Sequence, residues 1–279
     1  MTRKRILITG ATGFLGRHVA AFFREYDCVF LLSPGSKGNG YLEGYCYHLV
    51  DDLVDAVTEV DVVIHLAAFI PYGSMNEPSA KLQEVNVELT QQLVKAYPDA
   101  RWVFASSVSV YGAANDAVIS TRTVAAPDNL YGQSKLEAER IVEQLQNAAV
   151  IRFSSIIGKG MKPVSMIPKW IDQARNEGRI QIWGKGTRTQ NYLDVRDAAA
   201  LVHLLAFSNW KGIVLGVSPT QYTNAQVATI ITSQIPAQIE HTAHADERGA
   251  AYVDADAQKA IGFMPKFDLR ESIIDIIEG

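Results

Sequence analysis

The run Arg5-Ile6-Leu7-Ile8-Thr9 leads directly into Gly10-Ala11-Thr12-Gly13-Phe14-Leu15-Gly16 and then into a helical pattern from about Phe14 to Tyr26. A buried strand, a glycine turn and a helix in that order commit the chain to a crossover unit of a parallel sheet. Each glycine has its own task. One permits the tight turn, the next lets backbone approach a pyrophosphate, and the last allows helix and strand to pack closely, while free N–H groups at the helix start attract phosphate. The setting predicts a dinucleotide site lined by Gly10, Thr12, Gly13, Phe14, Leu15 and Gly16.

Short β-rich runs then alternate with helical stretches. Strands are expected at Arg5 to Thr9, Val29 to Leu32, Asp61 to His65, Arg101 to Ala105 and Ala149 to Phe153, with helices near Glu84 to Tyr97 and Ser134 to Gln146. Strands that read as unbroken apolar runs are buried on both faces, so the fold class is α/β, a Rossmann-type doubly wound parallel sheet. Gly158-Lys159-Gly160-Met161-Lys162-Pro163 interrupts the rhythm. Further helices are expected at Ile167 to Asn176 and Val195 to Phe207. The expected division is a dinucleotide-binding domain over 1–157, joined again by 191–217, and a smaller, discontinuous C-terminal lobe from 158–190 and 218–279.

With 279 residues, 48% hydrophobic and 20% charged, the chain has the composition of a soluble globular protein. A net charge of −4 without a long basic stripe argues against a nucleic-acid partner. The densest apolar run, Val62 to Ile70, is far shorter than the roughly 20 residues that span a bilayer. Cys28 and Cys46 show neither disulfide nor metal spacing, and charged residues open the chain where a secretory signal would be apolar, so cytoplasm is the expected location. His241 and His244, with Asp246 and Glu247, have metal-binding side chains but lie in a polar tail, and no metal is expected.

A dinucleotide site usually has an acidic residue after the second strand, where it holds a ribose lacking a 2′-phosphate. This chain has Ser33 to Lys37 instead, so Ser33 and Lys37 lean the cofactor expectation from NAD toward NADP. Asp52 and Leu53 could meet the adenine, and Ala67-Ala68 leave room for the cofactor. The strand ending in Ser106-Ser107 and the pair Tyr131 and Lys135, four apart at a helix start, complete a hydride-transfer set. The ammonium favours a phenolate on the same helix face and lowers the tyrosine pKa, the nicotinamide ring adds to that, and Ser107 hydrogen-bonds the reacting oxygen.

These motifs resemble the extended short-chain dehydrogenase/reductases of the NAD-dependent epimerase/dehydratase family. The matches are the glycine turn, His65-Leu66-Ala67-Ala68, Asn86-Val87, Ser106 to Gly112, Tyr131 to Lys135, Arg152-Phe153, Gly184-Lys185-Gly186, Tyr192 to Asp197 and Gly262 to Pro265. The resemblance implies Ser107, Tyr131 and Lys135 as catalytic residues and a cofactor wall that also includes Leu66, Asn86 and Ser106. It also implies a substrate lobe and a homodimer. Val108-Ser109 stand where dehydratases of the family carry an acidic pair, which disfavours dehydration. Two substrate positions depart from the pattern. Ser155 replaces an asparagine, and Gln190 replaces an arginine, leaving Arg188 and Arg248 as candidate phosphate contacts beside Ser74 and Tyr72. The expected activity is epimerisation of a nucleotide-linked sugar. An NADPH-dependent carbonyl reductase is the alternative, and a nucleotide-sensing protein without turnover a remote third.

Overall fold

The computed structural model describes residues 3–32, 47–50, 59–71, 80–112, 118–244 and 249–279, with 47–50 and 255–256 described by backbone alone. Fourteen strands occur among these residues. They are β1 Arg5–Thr9, β2 Asp27–Leu31, β3 Tyr47–Val50, β4 Val62–His65, β5 Arg101–Ser107, β6 Val118–Ile119, β7 Ala148–Phe153, β8 Ser155–Ile157, β9 Arg179–Trp183, β10 Thr189–Asp194, β11 Gly212–Gly216, β12 Gln221–Thr223, β13 Gln238–Thr242 and β14 Ala251–Tyr252. The α-helices are α1 Phe14–Ala21, α2 Leu89–Ala96, α3 Leu130–Val142, α4 Met166–Glu177, α5 Val195–Phe207, α6 Asn224–Thr232, α7 Ala255–Ala260 and α8 Leu269–Glu278.

Seven strands form one sheet in the order β11-β7-β5-β4-β1-β2-β3, and every neighbouring pair is parallel. The order reverses between β1 and β4. In a doubly wound sheet, ligands bind in the crevice outside the carboxyl ends of the strands at that reversal. Side chains alternate across the sheet. Ile6 and Ile8 of β1 enter a core with α1 and α5, whereas Leu7 enters the opposite core with α2 and α3, where Trp102, Phe104 and Val142 are buried. A third cluster gathers Ile167 and Trp170 of α4, Ile180 and Ile182 of β9, Tyr192, Val227 and Ile273 away from the sheet.

Three helices begin or end differently from expectation. α1 stops at Ala21 instead of Tyr26, because the chain tightens into turns that bury Phe23 before β2. α3 starts at Leu130 instead of Ser134, because the Asn129 side chain caps it by accepting from Gly132 N at 2.8 Å. The helix expected from Glu84 opens as a π-helical turn, Leu82–Glu88, and becomes α2 only at Leu89. Asn86 sits in that widened turn with its side chain on the backbone of Phe69, accepting from its N–H at 2.8 Å and donating to its carbonyl at 3.1 Å. Widened turns of this kind commonly serve to place one side chain off the regular helical path.

Cys28 is a buried thiol donating to the Phe23 carbonyl. Among the described residues no helix is long and apolar enough to cross a membrane. Trp102, fully buried on β5, donates its indole N–H to Tyr97 O at 2.8 Å. Trp102→Ala leaves a large cavity under α2 and α3. It is expected to lower unfolding free energy by about 3–5 kcal/mol in urea titrations, with unchanged far-UV circular dichroism at zero denaturant.

Candidate active site at the carboxyl edge of the sheet

Gly10 follows β1 with φ +72°, a left-handed conformation that a side chain would strain. A Cβ there would lie 2.7 Å from Ala67 N, in the segment that follows β4. A Cβ on Gly16 would lie 2.0 Å from the Gly10 carbonyl. The two glycines therefore bring α1, β1 and the Leu66-Ala67-Ala68 segment into backbone contact at the sheet's reversal point. Gly13 caps α1 without a side-chain hydrogen bond, and no acidic residue occupies the first turn. Helix N–H groups and the positive end of the dipole are thus left for a phosphate, which is the cradle a dinucleotide needs. Thr12, Phe14 and Leu15 are half-buried around it.

At the end of β5, Ser107 Oγ accepts from Ser109 N at 3.2 Å and donates to Ser109 Oγ at 3.1 Å, opening the 3-10 turn Val108–Tyr111. The buried Tyr131 phenol is hydrogen-bonded with Ser107, so β5 and the first turn of α3 converge on one point. The Lys135 ammonium lies 4.4 Å from the centre of the Phe104 ring on the same helix face. Four residues further, Glu139 is almost fully buried and accepts three hydrogen bonds from Arg152, Nε to Oε1 at 3.0 Å and to Oε2 at 3.3 Å, and Nη2 to Oε2 at 2.7 Å. Ser106 Oγ donates to the same carboxylate at 2.5 Å, and the Arg152 guanidinium lies 4.8 Å from the Tyr111 ring centre.

The phenol does not behave as its spacing from Lys135 implies. Burial pushes the Tyr131 pKa up to about 12, with the Ser107 hydrogen bond opposing, because the protein interior penalises a phenolate more than one neighbour relieves it. Burial likewise pulls Lys135 down to about 8, against the pull of Glu139.

Asn86 is buried and donates to Ser134 Oγ at 3.0 Å, tying the π-turn to α3. In the second half, Ser155 is exposed on β8 opposite Tyr192 of β10. Gln190 donates to Asn224 Oδ1 at 3.0 Å. Arg188 acts electrostatically on both Tyr192 and Tyr252, and the buried Tyr192 hydroxyl has no hydrogen-bond partner among the described residues. His241 Nδ1 meets the Gly184 carbonyl at 2.8 Å, and His244 stacks on Trp183 at 5.1 Å. Ser33, Lys37, Asp52, Leu53, Tyr72, Ser74, Arg248, Asp246 and Glu247 lie outside the described residues.

The family model for the NAD dependent epimerase/dehydratase family matches residues 6–214, about three quarters of the chain. The chain belongs to that family. A UDP-glucose 4-epimerase from Halalkalibacterium halodurans is 25% identical over 314 aligned positions, covering 97% of this chain and 93% of that protein. Among solved structures, the UDP-N-acetylglucosamine 4-epimerase from Methanobrevibacter ruminantium M1, in complex with UDP-N-acetylmuramic acid, superposes with a TM-score of 0.87 at 21% identity and covers 100% of this chain and 98% of that one. MoeE5, in complex with UDP-glucose and NAD, gives 0.82 at 24% identity, covering 98% and 97%.

Sequence reasoning missed one charged group packed against these residues. Glu139 continues the four-residue spacing of Tyr131 and Lys135 along α3, a signal that an acidic residue on the same helix face belongs with them. Its partner Arg152 was singled out only as a motif residue. The low Lys135 pKa has a consequence for stability. Between about pH 8, the folded value, and 10.5, the ordinary one, the unfolded chain binds more protons than the folded chain. Burial of the ammonium therefore costs stability below pH 8, and the cost fades as pH rises through that window. Lys135→Met is expected to unfold at higher denaturant concentration than the wild type at pH 7, with the gap closing as titrations are repeated toward pH 10.5.

Proposed function

We propose that this chain is an NAD(P)-dependent epimerase of a nucleotide-linked sugar, acting by transient oxidation and re-reduction of one carbinol carbon. The observation that carries the reading is the convergence of Ser107, Tyr131 and Lys135 at the same carboxyl edge of the sheet as the glycine crevice. The cofactor would be held by the N–H groups of α1 and the Gly10–Ala67 wall, with Leu66, Ala68, Asn86 and Ser106 supporting it. A bound nicotinamide would supply the hydride acceptor and donor and a positive charge. NAD is favoured by its presence with MoeE5, while Ser33 and Lys37 keep NADP open.

Within the chain, Ser107 holds the substrate oxygen as it changes between hydroxyl and carbonyl. Tyr131 removes the hydroxyl proton as a phenolate during oxidation and returns it from the phenol during reduction, and Lys135 favours the phenolate that begins and ends the cycle. With its pKa pushed up to about 12 by burial, the Tyr131 phenol holds its proton in the free chain and gives it up only with added stabilisation of the phenolate. Epimerisation needs the keto sugar to turn over between the two hydride transfers. We assign its containment to a substrate lobe from 158–190 and 218–279, whose separate apolar cluster around α4, β9 and α6 supports such a unit. Ser155, Arg188, Gln190, Arg248 and Ser74 are the substrate contacts we propose. Val108 and Ser109 provide no carboxylate for the second acid and base of dehydration, which favours epimerisation over that branch of the family. The homodimer we propose would pair α2 and α3 with their copies in a four-helix interface.

Incubation with a panel of UDP- and dTDP-sugars is expected to yield an epimer by NMR with no net change in nicotinamide absorbance, and Tyr131→Phe to lower kcat by about 10²–10⁴-fold. Stoichiometric consumption of added NADPH with a carbonyl compound, and no epimer from any sugar, would replace this reading by the reductase.

A further inference from the structure

His65 ends β4 with its ring wholly buried, and no step of the proposed reaction uses it. Its two nitrogens meet two buried hydroxyls, Thr9 Oγ1 at 2.6 Å from Nδ1 and Thr90 Oγ1 at 2.9 Å from Nε2. A hydroxyl has a single proton, which settles every direction in this chain. Thr90 donates to the Asn86 carbonyl at 2.8 Å, and a carbonyl can only accept, so the Thr90 oxygen receives the proton on Nε2 of His65. A neutral ring then presents a bare Nδ1, which accepts from Thr9. The Thr9 oxygen in turn accepts from Ala67 N–H at 3.1 Å.

Neutrality follows from the surroundings. The imidazole packs on the Phe104 ring at 5.5 Å, and the Lys135 ammonium lies over the same ring at 4.4 Å. Burial and that charge hold the His65 pKa down at about 3. The hydrogen bonds therefore run one way from Ala67 through Thr9, His65 and Thr90 to Asn86. At one end, Ala67 N stands 2.7 Å from the point a Gly10 Cβ would occupy. At the other, Asn86 grips Phe69 and Ser134, and Ser134 Oγ donates to the Tyr131 carbonyl at 2.8 Å.

We propose that His65, locked as the Nε2–H tautomer, is a positioning residue that sets the distance between the glycine turn and the helix bearing Tyr131 and Lys135, and thereby tunes affinity for the dinucleotide. The effect on affinity rests on the cofactor reading above, whereas the tautomer does not. A hydroxyl is required at both positions because each must accept one hydrogen bond and donate another, which valine cannot do.

The test uses the full chain labelled with ¹⁵N-histidine, with His65→Phe identifying the His65 signals. Long-range ¹H–¹⁵N spectra are expected to show a neutral Nε2–H ring that does not titrate from about pH 5 to about pH 9. An Nδ1–H ring, or titration in that range, would overturn the assignment. NAD binding by calorimetry is expected to weaken about tenfold in Thr90→Val, and in Thr9→Val should Thr90→Val not fold, while Thr90→Ser stays within about twofold of wild type. Equal affinities throughout would sink the coupling. A wild type that binds neither NAD nor NADP defeats the cofactor reading, and the tautomer spectrum then upholds or overturns the hydrogen-bond chain by itself.

Discussion

The buried carboxylate of Glu139 is the interaction on which the arrangement of the site depends. It lies between the ends of β5 and β7 and beside Lys135, binding Ser106 from one strand and Arg152 from the next. A charge buried to this degree persists only with its partners, and removing one partner from such a pair typically costs about 3–5 kcal/mol because the other is left uncompensated. The pair therefore acts less as a source of stability than as a specification of geometry. With Glu139 satisfied, the register of α3 on the sheet is set, and with it the places of Tyr131 and Lys135.

The crevice is built from the absence of side chains. Gly10 and Gly16 let backbone meet backbone between β1, α1 and the segment after β4. Asn86, Ser134 and the buried threonines then join that wall to α3 through hydrogen bonds instead of apolar packing. Apolar contacts would hold these elements together with little directional preference. A polar network in a low-dielectric interior holds them at defined distances, since each unpaired group would be costly.

Much of the fold is legible in the sequence. The apolar runs of β1, β4, β5 and β7 and the helix Val195–Phe207 carry their own periodicity, and the parallel sheet follows from them. The start of α3 is less legible, because Pro127-Asp128-Asn129 reads as a loop until Asn129 is recognised as a cap. The π-turn at Leu82–Glu88 is invisible to periodicity, as is the reach of its Asn86 side chain to Phe69 across the structure. The Tyr131 pKa is a further case. A four-residue spacing reveals the neighbouring lysine, but it says nothing of desolvation, and desolvation dominates.

The sequence by itself determined the doubly wound sheet and the glycine turn that opens its crevice, because those features rest on local periodicity and on glycines at fixed offsets, and it raised the expectation that Ser107, Tyr131 and Lys135 act as a set. Only the tertiary structure decided how that set is tuned. Glu139 reaches Ser106 and Arg152, His65 reaches Thr9 and Thr90, and Gln190 turns to Asn224, all across long sequence separations. Burial and hydrogen-bond direction are properties of the folded surroundings, and they emerge only when distant segments exclude water together.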